Sequence, residues 1–177
     1  MTPLQTAVVL GTRRSGSMSQ LVARAVLEQF DHFPNVRIEL LDLAMLEVPI
    51  FESRTEDNYA ALPDVRFLCE ALQVADAVLF VAPEYKNGYP GALKNALDYL
   101  PPRVFRRKPI GIISVSSGPN GGLNCLAQLR QVCFGLGGLP IPEQVLVSNV
   151  TALFDEQGGL RDPNFAKQVR TFLEEFL

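Results

Sequence analysis

Residues 77–100 read AVLFVAPEYKNGYPGALKNALDYL, a sequence that predicts a strand, a loop and a helix in succession. Residues 77–82 are apolar throughout, which is typical of a strand buried on both faces of a parallel sheet. Pro90-Gly91 then opens a stretch whose leucines and alanines recur at helical spacing, and Pro101-Pro102 ends it. The segment therefore predicts one repeat of a parallel sheet covered by helices.

The same alternation continues along the whole chain of 177 residues. Alternating strands and helices joined by right-handed crossovers favour a doubly wound α/β fold. Residues 44–60 are predicted to be irregular, and because no linker or repeat interrupts the pattern, we expect a single domain over residues 1–177. Strands are predicted over residues 7–10, 36–43, 77–82, 110–115 and 145–147, and helices over residues 18–30, 63–75, 90–100, 123–136 and 163–177.

Composition excludes several classes of protein. The 16 Lys and Arg residues against 19 Asp and Glu residues give a net charge of -3, which argues against a nucleic-acid-binding protein. One histidine, His32, and three cysteines without C-x-x-C spacing argue against a metal site or a disulfide framework, and predict buried free thiols. The sequence shows neither a signal peptide nor a run long enough to span a membrane, so we expect a cytoplasmic protein.

In doubly wound sheets, ligands bind beyond the carboxyl ends of the strands, where the winding reverses. Three loops are predicted to lie there: residues 11–17, 83–91 and 116–122, named here the first, second and third loops. Each has an unusual composition for a connection.

The first loop, GTRRSGS, places three hydroxyls and two guanidiniums immediately before a helix. Free amides at a helix N-terminus, together with arginine, form a site for a phosphate dianion. The loop lacks the patterns of a dinucleotide pyrophosphate site and of a triphosphate P-loop. The alternative is helix capping, since Ser17 and Gln20 fit an S-x-x-Q capping box. Because capping does not account for Arg13, Arg14 and the remaining hydroxyls, a phosphate site is favoured.

The second loop holds an Asn87-Gly88 turn between two tyrosines and is bounded by prolines. A tyrosine at a pocket rim offers a flat face for stacking, although a tight turn with surface tyrosines explains the loop equally well. In the third loop, the glycines would allow backbone amides to face a planar ring rich in heteroatoms. The alternative for the third loop is a flexible connection.

Taken together, the loops resemble the NADPH-dependent FMN reductase family. The first loop is similar to the family's phosphate loop G-S-x-R-x-G-S, and residues 83–98 are similar to its signature P-E-Y-N-x-x-x-P-G-x-L-K-N-A-[IL]-D. The third loop and Leu129-Arg130-Gln131 also match. The departures are Lys86 where the family usually has Asn, Ser19 where Asn is common, and Arg13 where an apolar residue is common.

This resemblance implies a flavodoxin-like fold, with a five-stranded parallel sheet in the order 2-1-3-4-5 and helices on both faces. It also implies that hydride passes from NADPH or NADH through bound FMN to a small-molecule electron acceptor. That acceptor would be a flavin, a quinone, an azo compound or a metal oxyanion, in a ping-pong cycle. No catalytic side chain is expected, because the flavin carries the chemistry.

The resemblance also assigns residues to the FMN site. Arg13 is not among these residues and is expected to face solvent. The phosphate would be held by Thr12, Arg14, Ser17 and Ser19, one side of the isoalloxazine would be lined by Pro83, Glu84, Tyr85, Lys86, Asn87 and Gly88, and the other side by Ser116, Gly118 and Gly121.

Two further expectations concern charge and assembly. An FMN-binding electron carrier or redox sensor without NAD(P)H turnover is the alternative function, but carriers tend to be acidic around the flavin. Here Lys86, Arg103, Arg106 and Arg107 are expected in or near the site, which suits an anionic nicotinamide cofactor. A phosphatase with a Cys-x5-Arg loop is excluded, because residues 11–17 contain no cysteine. A homodimer or homotetramer is expected, with an interface that includes Tyr99, Leu100, Val104 and Phe105.

Overall fold

The computed structural model describes residues 2–52 and 62–177, so the segment of the predicted irregular stretch from residue 53 to 60 lies outside the described residues. A parallel sheet with the hydrogen-bonded order β2-β1-β3-β4-β5 forms the centre, and β6 pairs with β4. This order confirms the predicted doubly wound topology. The strands are β1 Leu4–Leu10, β2 Val36–Asp42, β3 Ala77–Pro83, β4 Pro109–Val115, β5 Leu139–Pro140 and β6 Val145–Val147.

One edge of the sheet departs from the predicted five strands, because two short strands share the position beside β4. β5 pairs with Pro109 and Ile110, and β6 pairs with residues 113–115 further along β4. Pro140 and Pro142 carry no amide hydrogen, so they interrupt a continuous ladder. The Arg130 guanidinium donates to the carbonyl oxygens of residues 141–143, which lie in the gap between the two strands.

Helices cover both faces of the sheet. One core layer lies between the sheet and helices α1 and α6, and the other lies between the sheet and helices α2, α3 and α4. None of the helices in the described part of the chain is long and apolar enough to cross a membrane. The helices are α1 Met18–Gln29, α2 Pro63–Val74, α3 Gly91–Tyr99, α4 Leu123–Gly135, α5 Val150–Leu153 and α6 Pro163–Phe176, with single 3-10 turns at Phe30–His32, Leu43–Met45 and Pro102–Val104.

The winding reverses between β1 and β3, which are hydrogen-bonded neighbours. β1 leads into α1, whose Val22 and Val26 pack on one face of the sheet, whereas β3 leads into α3, whose Leu93 and Leu97 pack on the other. The two connections diverge at the carboxyl edge and leave a crevice there. The fold therefore places the first and second loops on either side of a typical ligand position.

The residues after α3 are part of the core rather than of an outer surface. Leu100, Val104 and Phe105 are 1%, 0% and 0% exposed, and the Phe105 ring lies 6.3 Å from that of Phe80. The 3-10 turn at Pro102–Val104 contacts α2. The prediction that they face a partner subunit is therefore wrong.

All three cysteines are free and buried, as the sequence predicts. Burial raises the pKa of Cys125 and of Cys133 to about 12, and for Cys125 the Glu84 carboxylate adds to the effect of burial. Neither thiol is therefore ionised at neutral pH.

We predict that these two thiols make the fold sensitive to alkali. Below about pH 8.5 both the folded and the unfolded chain hold these protons, so the contribution to stability is fully present. Above that pH the unfolded chain releases them while the folded chain retains them, so the free energy of unfolding falls by up to about 1.4 kcal/mol per thiol and pH unit. Urea unfolding at pH 8 and pH 10 measures the loss. The double variant Cys125→Ala, Cys133→Ala should lose less stability between those pH values, and an equal loss would contradict the prediction.

Candidate functional site

The three loops begin side by side at the carboxyl edge of the sheet. The Gly11 amide donates to the Val81 carbonyl at 2.9 Å, the Glu84 amide to the Val115 carbonyl at 2.8 Å, and the Ser116 amide to the Val147 carbonyl at 2.9 Å. Each loop therefore starts in register with a strand beside it. The structure brings the loops together as the sequence predicts.

Thr12 connects the first loop to the second. Its side chain is buried, and its hydroxyl lies 2.8 Å from the Tyr85 hydroxyl in a hydrogen bond. The same Thr12 hydroxyl accepts a hydrogen bond of 3.2 Å from the Arg14 amide. Thr12 therefore fixes both the backbone of Arg14 and the outer end of the Tyr85 side chain.

Ser17 caps α1, which confirms the capping interpretation for this residue. Its hydroxyl accepts from the Ser19 amide at 3.3 Å, while its carbonyl accepts from the Gln20 amide at 3.0 Å. The hydroxyl thus bonds one residue earlier than a capping box requires. Capping accounts for Ser17 but leaves the other polar groups of the first loop unexplained.

Ser19 gives the strongest indication of a ligand at the first loop. Its Oγ is buried and has no hydrogen-bond partner among the described residues, an arrangement that costs about 1–3 kcal/mol. The first turn of α1 contains no acidic residue to offset the partial positive charge of the helix N-terminus, and Arg13 and Arg14 are exposed beside it. A phosphate dianion here would supply both an acceptor and the missing negative charge. These residues fit the phosphate end of FMN.

The N-terminus of α4 also lies near the loops, and it already holds an anion. Its N-cap is Gly122, at φ +82°, which has no side chain with which to cap the helix. The Glu84 carboxylate, from the second loop, accepts from the Asn124 and Cys125 amides at 2.9 and 3.0 Å. Because Glu84 already supplies a negative charge there, α4 is less suited to a ligand phosphate than α1.

The second loop is a tight hairpin turn centred on Lys86 and Asn87. Tyr85 and Gly88 exchange two backbone hydrogen bonds of 2.8 and 3.2 Å, and the two central residues have φ values of 51° and 63°. Positive φ at both positions is the property of a type I′ turn. The sequence prediction of an Asn87-Gly88 turn is therefore wrong by one residue. The side chain of Gln128 on α4 donates to the Asn87 carbonyl at 2.8 Å and holds the tip in place.

The third loop is tightly held, which argues against a flexible connection. The Ser116 hydroxyl accepts from the Gly118 amide at 3.1 Å, and the Gly118 carbonyl accepts from the Asn149 amide at 3.1 Å. Gly121 has φ +60°, and a Cβ there would lie 2.7 Å from the Cβ of Leu146. Its carbonyl accepts from the buried Ser114 hydroxyl at 2.7 Å.

Three predicted basic residues do not lie near this crevice. Arg103, Arg106 and Arg107 belong to the segment between α3 and β4, which lies at the opposite, amino edge of the sheet. The Arg107 amide donates to the Gly137 carbonyl there. The prediction that they lie in or near the site is wrong, because α3 carries the chain from one edge of the sheet to the other. Lys86 remains at the crevice.

Two positioning side chains were not identified from the sequence. Gln128 holds the second loop, and Asn95 on α3 accepts from the Phe51 amide at 2.8 Å and donates to the Pro49 carbonyl at 2.6 Å. Asn95 lies within the signature at residues 83–98. The presence of a glutamine or an asparagine in a sequence does not by itself predict such a contact. Within residues 2–52 and 62–177, no cluster of His, Cys, Asp or Glu side chains could hold a metal ion.

Several known proteins have sequences similar to this chain. The sequence profile described as NADPH-dependent FMN reductase matches residues 4–152. An NADPH azoreductase of a Bacillus species is 30% identical over 176 residues, which cover 98% of this chain and 94% of that protein. An NAD(P)H-dependent FMN reductase of Pseudomonas aeruginosa is 31% identical over 172 residues, which cover 94% of this chain and 89% of that protein.

The fold is also similar to that of a solved flavoenzyme. The structure of FerB, an NAD(P)H:(acceptor) oxidoreductase from Paracoccus denitrificans, superposes with a TM-score of 0.80 at 25% identity. The match covers 98% of this chain and 94% of that one.

Proposed function

Because the chain belongs to the NADPH-dependent FMN reductase family, we propose that it binds FMN across the three loops and uses NADPH to reduce a small-molecule acceptor. Membership makes the protein an FMN-dependent NAD(P)H oxidoreductase with a flavodoxin-like fold. The observation that supports the position of the flavin is the buried, unpartnered Ser19 hydroxyl in the first turn of α1, the helix that follows the first loop with its exposed Arg14. Since the first loop suits a terminal phosphate, FMN is favoured over FAD.

The chain's own residues would bind and orient the cofactor. Thr12, Arg14, Ser17 and Ser19 would hold the phosphate. When bound, FMN supplies the chemistry that accepts and donates hydride. The second loop, from Pro83 to Gly88, would line one side of the isoalloxazine, and Ser116, Gly118 and Gly121 of the third loop would line the other.

We propose no catalytic acid or base from the protein. The Tyr85 hydroxyl is hydrogen-bonded to Thr12, and the Glu84 carboxylate is hydrogen-bonded to α4. Tyr85 and Glu84 of the second loop are thus engaged in holding the loops. Reduced nicotinamide and acceptor would occupy the same crevice in turn, which gives a ping-pong cycle. Quinones, flavins, azo compounds and metal oxyanions are the acceptor classes to be compared.

Charge at the crevice favours a reductase over an electron carrier. Arg13, Arg14 and Lys86 are exposed around it, and the Glu84 carboxylate caps α4. A dinucleotide with several phosphates is attracted to such a surface, whereas the carriers considered above tend to have acidic surfaces around the flavin.

Reconstitution of the purified protein with FMN, followed by anaerobic reduction with NADPH or NADH, tests the function. We expect flavin absorbance, FMN as the released cofactor, bleaching by a reduced nicotinamide, and return of the oxidised spectrum when a quinone or azo dye is added. Stoichiometric FAD, or no flavin uptake, would contradict the proposal. Reduction by dithionite but not by NADPH or NADH would favour the electron carrier or sensor.

We predict that Tyr85→Ala raises the KM for NADPH and for the acceptor severalfold while most of the FMN stays bound. The Tyr85 ring is half-buried at the crevice and is held by its hydrogen bond to Thr12, so its loss opens the position where nicotinamide and acceptor must stack. Steady-state kinetics and FMN titration measure the two effects. Tyr85→Phe retains the ring and should lie closer to wild type. Complete loss of flavin from a folded Tyr85→Ala protein would assign the ring to cofactor support instead.

We also propose that residues 1–177 form one cytoplasmic domain that assembles as a homodimer or homotetramer. The buried free thiols suit a reducing compartment. The outer face of α4 is a surface that suits association, because Leu123 and Phe134 are 48% and 62% exposed on it. Arg130, the charged residue of this helix, donates to backbone carbonyls.

We predict that Phe134→Glu shifts the protein towards monomer in sedimentation at micromolar concentration, because a carboxylate cannot be buried without a partner. Val74→Glu on α2 is the matched control, since Val74 is 71% exposed but lies away from α4. The control should sediment like wild type. An unchanged Phe134→Glu protein would remove this face from the interface.

A further inference from the structure

Glu84 caps a helix that it does not belong to. The first residues of α4 leave backbone amides without helical partners, and the Gly122 N-cap offers no side chain to satisfy them. The Glu84 carboxylate accepts from the second and third of these amides, at Asn124 and Cys125. Both bonds end on the same oxygen, so the carboxylate lies at the N-terminus of the helix and interacts favourably with the helix dipole.

This cap joins the second loop to the helix that follows the third loop. The Glu84 amide bonds to the Val115 carbonyl, the last residue of β4, so its backbone is already held beside the start of the third loop. One turn further along α4, Gln128 holds the Asn87 carbonyl. The second loop therefore contacts α4 at two places: Glu84 at its base and Asn87 at its tip. Of these two contacts, only the one at Glu84 involves a charged side chain.

We propose that Glu84 is a positioning residue for the flavin site, which acts by capping α4 and thereby sets the spacing of the second and third loops. This inference rests on the proposed function, since it assumes that the flavin lies between those loops. It assigns the Glu84 side chain a different role from its neighbours in the second loop. The backbone of Glu84 lines the crevice, while the carboxylate acts through the helix.

The length of the side chain distinguishes this role from a direct electrostatic effect on the flavin. Glutamine retains the length and offers a carbonyl oxygen to the same two amides, but it has no charge. Aspartate retains the charge but is one methylene shorter, so it cannot reach both amides from the same backbone position. A capping role therefore predicts that Gln is tolerated better than Asp, and a direct charge effect predicts the reverse order.

The experiment compares Glu84→Gln, Glu84→Asp and Glu84→Ala for FMN dissociation constant, KM for NADPH, kcat and visible circular dichroism of the bound flavin. We expect Glu84→Gln to stay within about threefold of wild type, and the other two variants to bind FMN about fivefold to tenfold more weakly with an altered flavin spectrum. If Glu84→Asp resembles wild type while Glu84→Gln is impaired, the proposal is overturned.

Hydrogen exchange of the flavin-free protein separates this inference from the proposed function. The Asn124 and Cys125 amides should be protected in wild type and Glu84→Gln, and should exchange at least tenfold faster in Glu84→Asp and Glu84→Ala. Equal exchange in all four proteins would overturn the cap. Protection that follows this order in a protein that does not take up FMN would leave the cap intact and reject the function.

Asp162→Ala controls for general loss of stability. Asp162 caps α6 by accepting from the Asn164 amide at 2.9 Å, and α6 packs on the opposite face of the sheet from α4. This variant should lower the melting temperature about as much as Glu84→Ala while leaving FMN affinity and KM unchanged. If Asp162→Ala weakens FMN binding to the same extent, the Glu84 effect is one of stability and the positioning role is rejected.

Discussion

Arg14→Ala should weaken FMN binding by about tenfold to a hundredfold, whereas Arg13→Ala should weaken it by less than about threefold. A charge-assisted hydrogen bond to a phosphate contributes about 1.5–3 kcal/mol, which corresponds to this range of dissociation constants. The Arg14 backbone is fixed by its bond to the buried Thr12 hydroxyl, so its side chain extends from a defined point beside α1. Arg13 is expected to face solvent.

Titration of the flavin-free protein, followed by quenching of FMN fluorescence, measures both constants. Arg14→Lys should recover only part of the affinity, because an ammonium cannot form the paired bonds of a guanidinium. Riboflavin, which lacks the phosphate, should bind to wild type and to Arg14→Ala with similar affinity. Equal losses from Arg13 and Arg14, or a larger loss from Arg13, would reverse the assignment.

Gly121→Ala should destabilise the fold by about 3 kcal/mol or more and abolish FMN uptake at room temperature. An L-residue at φ +60° costs about 1–2 kcal/mol. The added Cβ would also lie 2.7 Å from the Cβ and 2.9 Å from the backbone carbon of Leu146 in β6. Since a strand backbone cannot move aside as a side chain can, the third loop must shift away from β6 or the clash must remain.

Urea unfolding of flavin-free protein measures this effect, and two other glycines serve as matched controls. At Gly91 the added Cβ meets nothing within 4 Å, so Gly91→Ala should leave stability unchanged or slightly higher. Gly16 has φ +66° with equally open space, so Gly16→Ala should show the conformational cost alone. A Gly121→Ala protein no less stable than Gly16→Ala would mean that the contact with Leu146 has no energetic consequence.

Much of the fold was predictable because periodicity and turn residues determine where strands and helices lie. The apolar run at residues 77–82 and the proline-bounded helix after it fall at β3 and α3 as predicted. The divided edge strand was harder, since Pro140 and Pro142 indicate an edge position but not which residues pair with β4.

The sequence predicted which loops form the site, but not the hydrogen bonds and turn geometry within them. Loop positions follow from topology, but the type I′ turn depends on Lys86 adopting a positive φ, which its residue type disfavours. The Glu84 cap joins residues 40 and 41 positions apart, so sequence spacing cannot reveal it. Arg103, Arg106 and Arg107 follow the second loop closely in sequence, but α3 carries the chain to the opposite edge of the sheet, so sequence proximity predicts their position wrongly.

The strands at the two edges of the sheet have a consequence for aggregation. Unpaired strand edges can recruit strands from other chains and so start fibril-like growth. On one side β2 presents the exposed charges of Arg37 and Glu39, and on the other β5 and β6 are too short and too interrupted by proline to template a new strand. Both edges therefore oppose the addition of a strand from another copy of the chain. Contacts between copies are then expected through the surfaces of helices, which do not extend into fibrils as paired strands do.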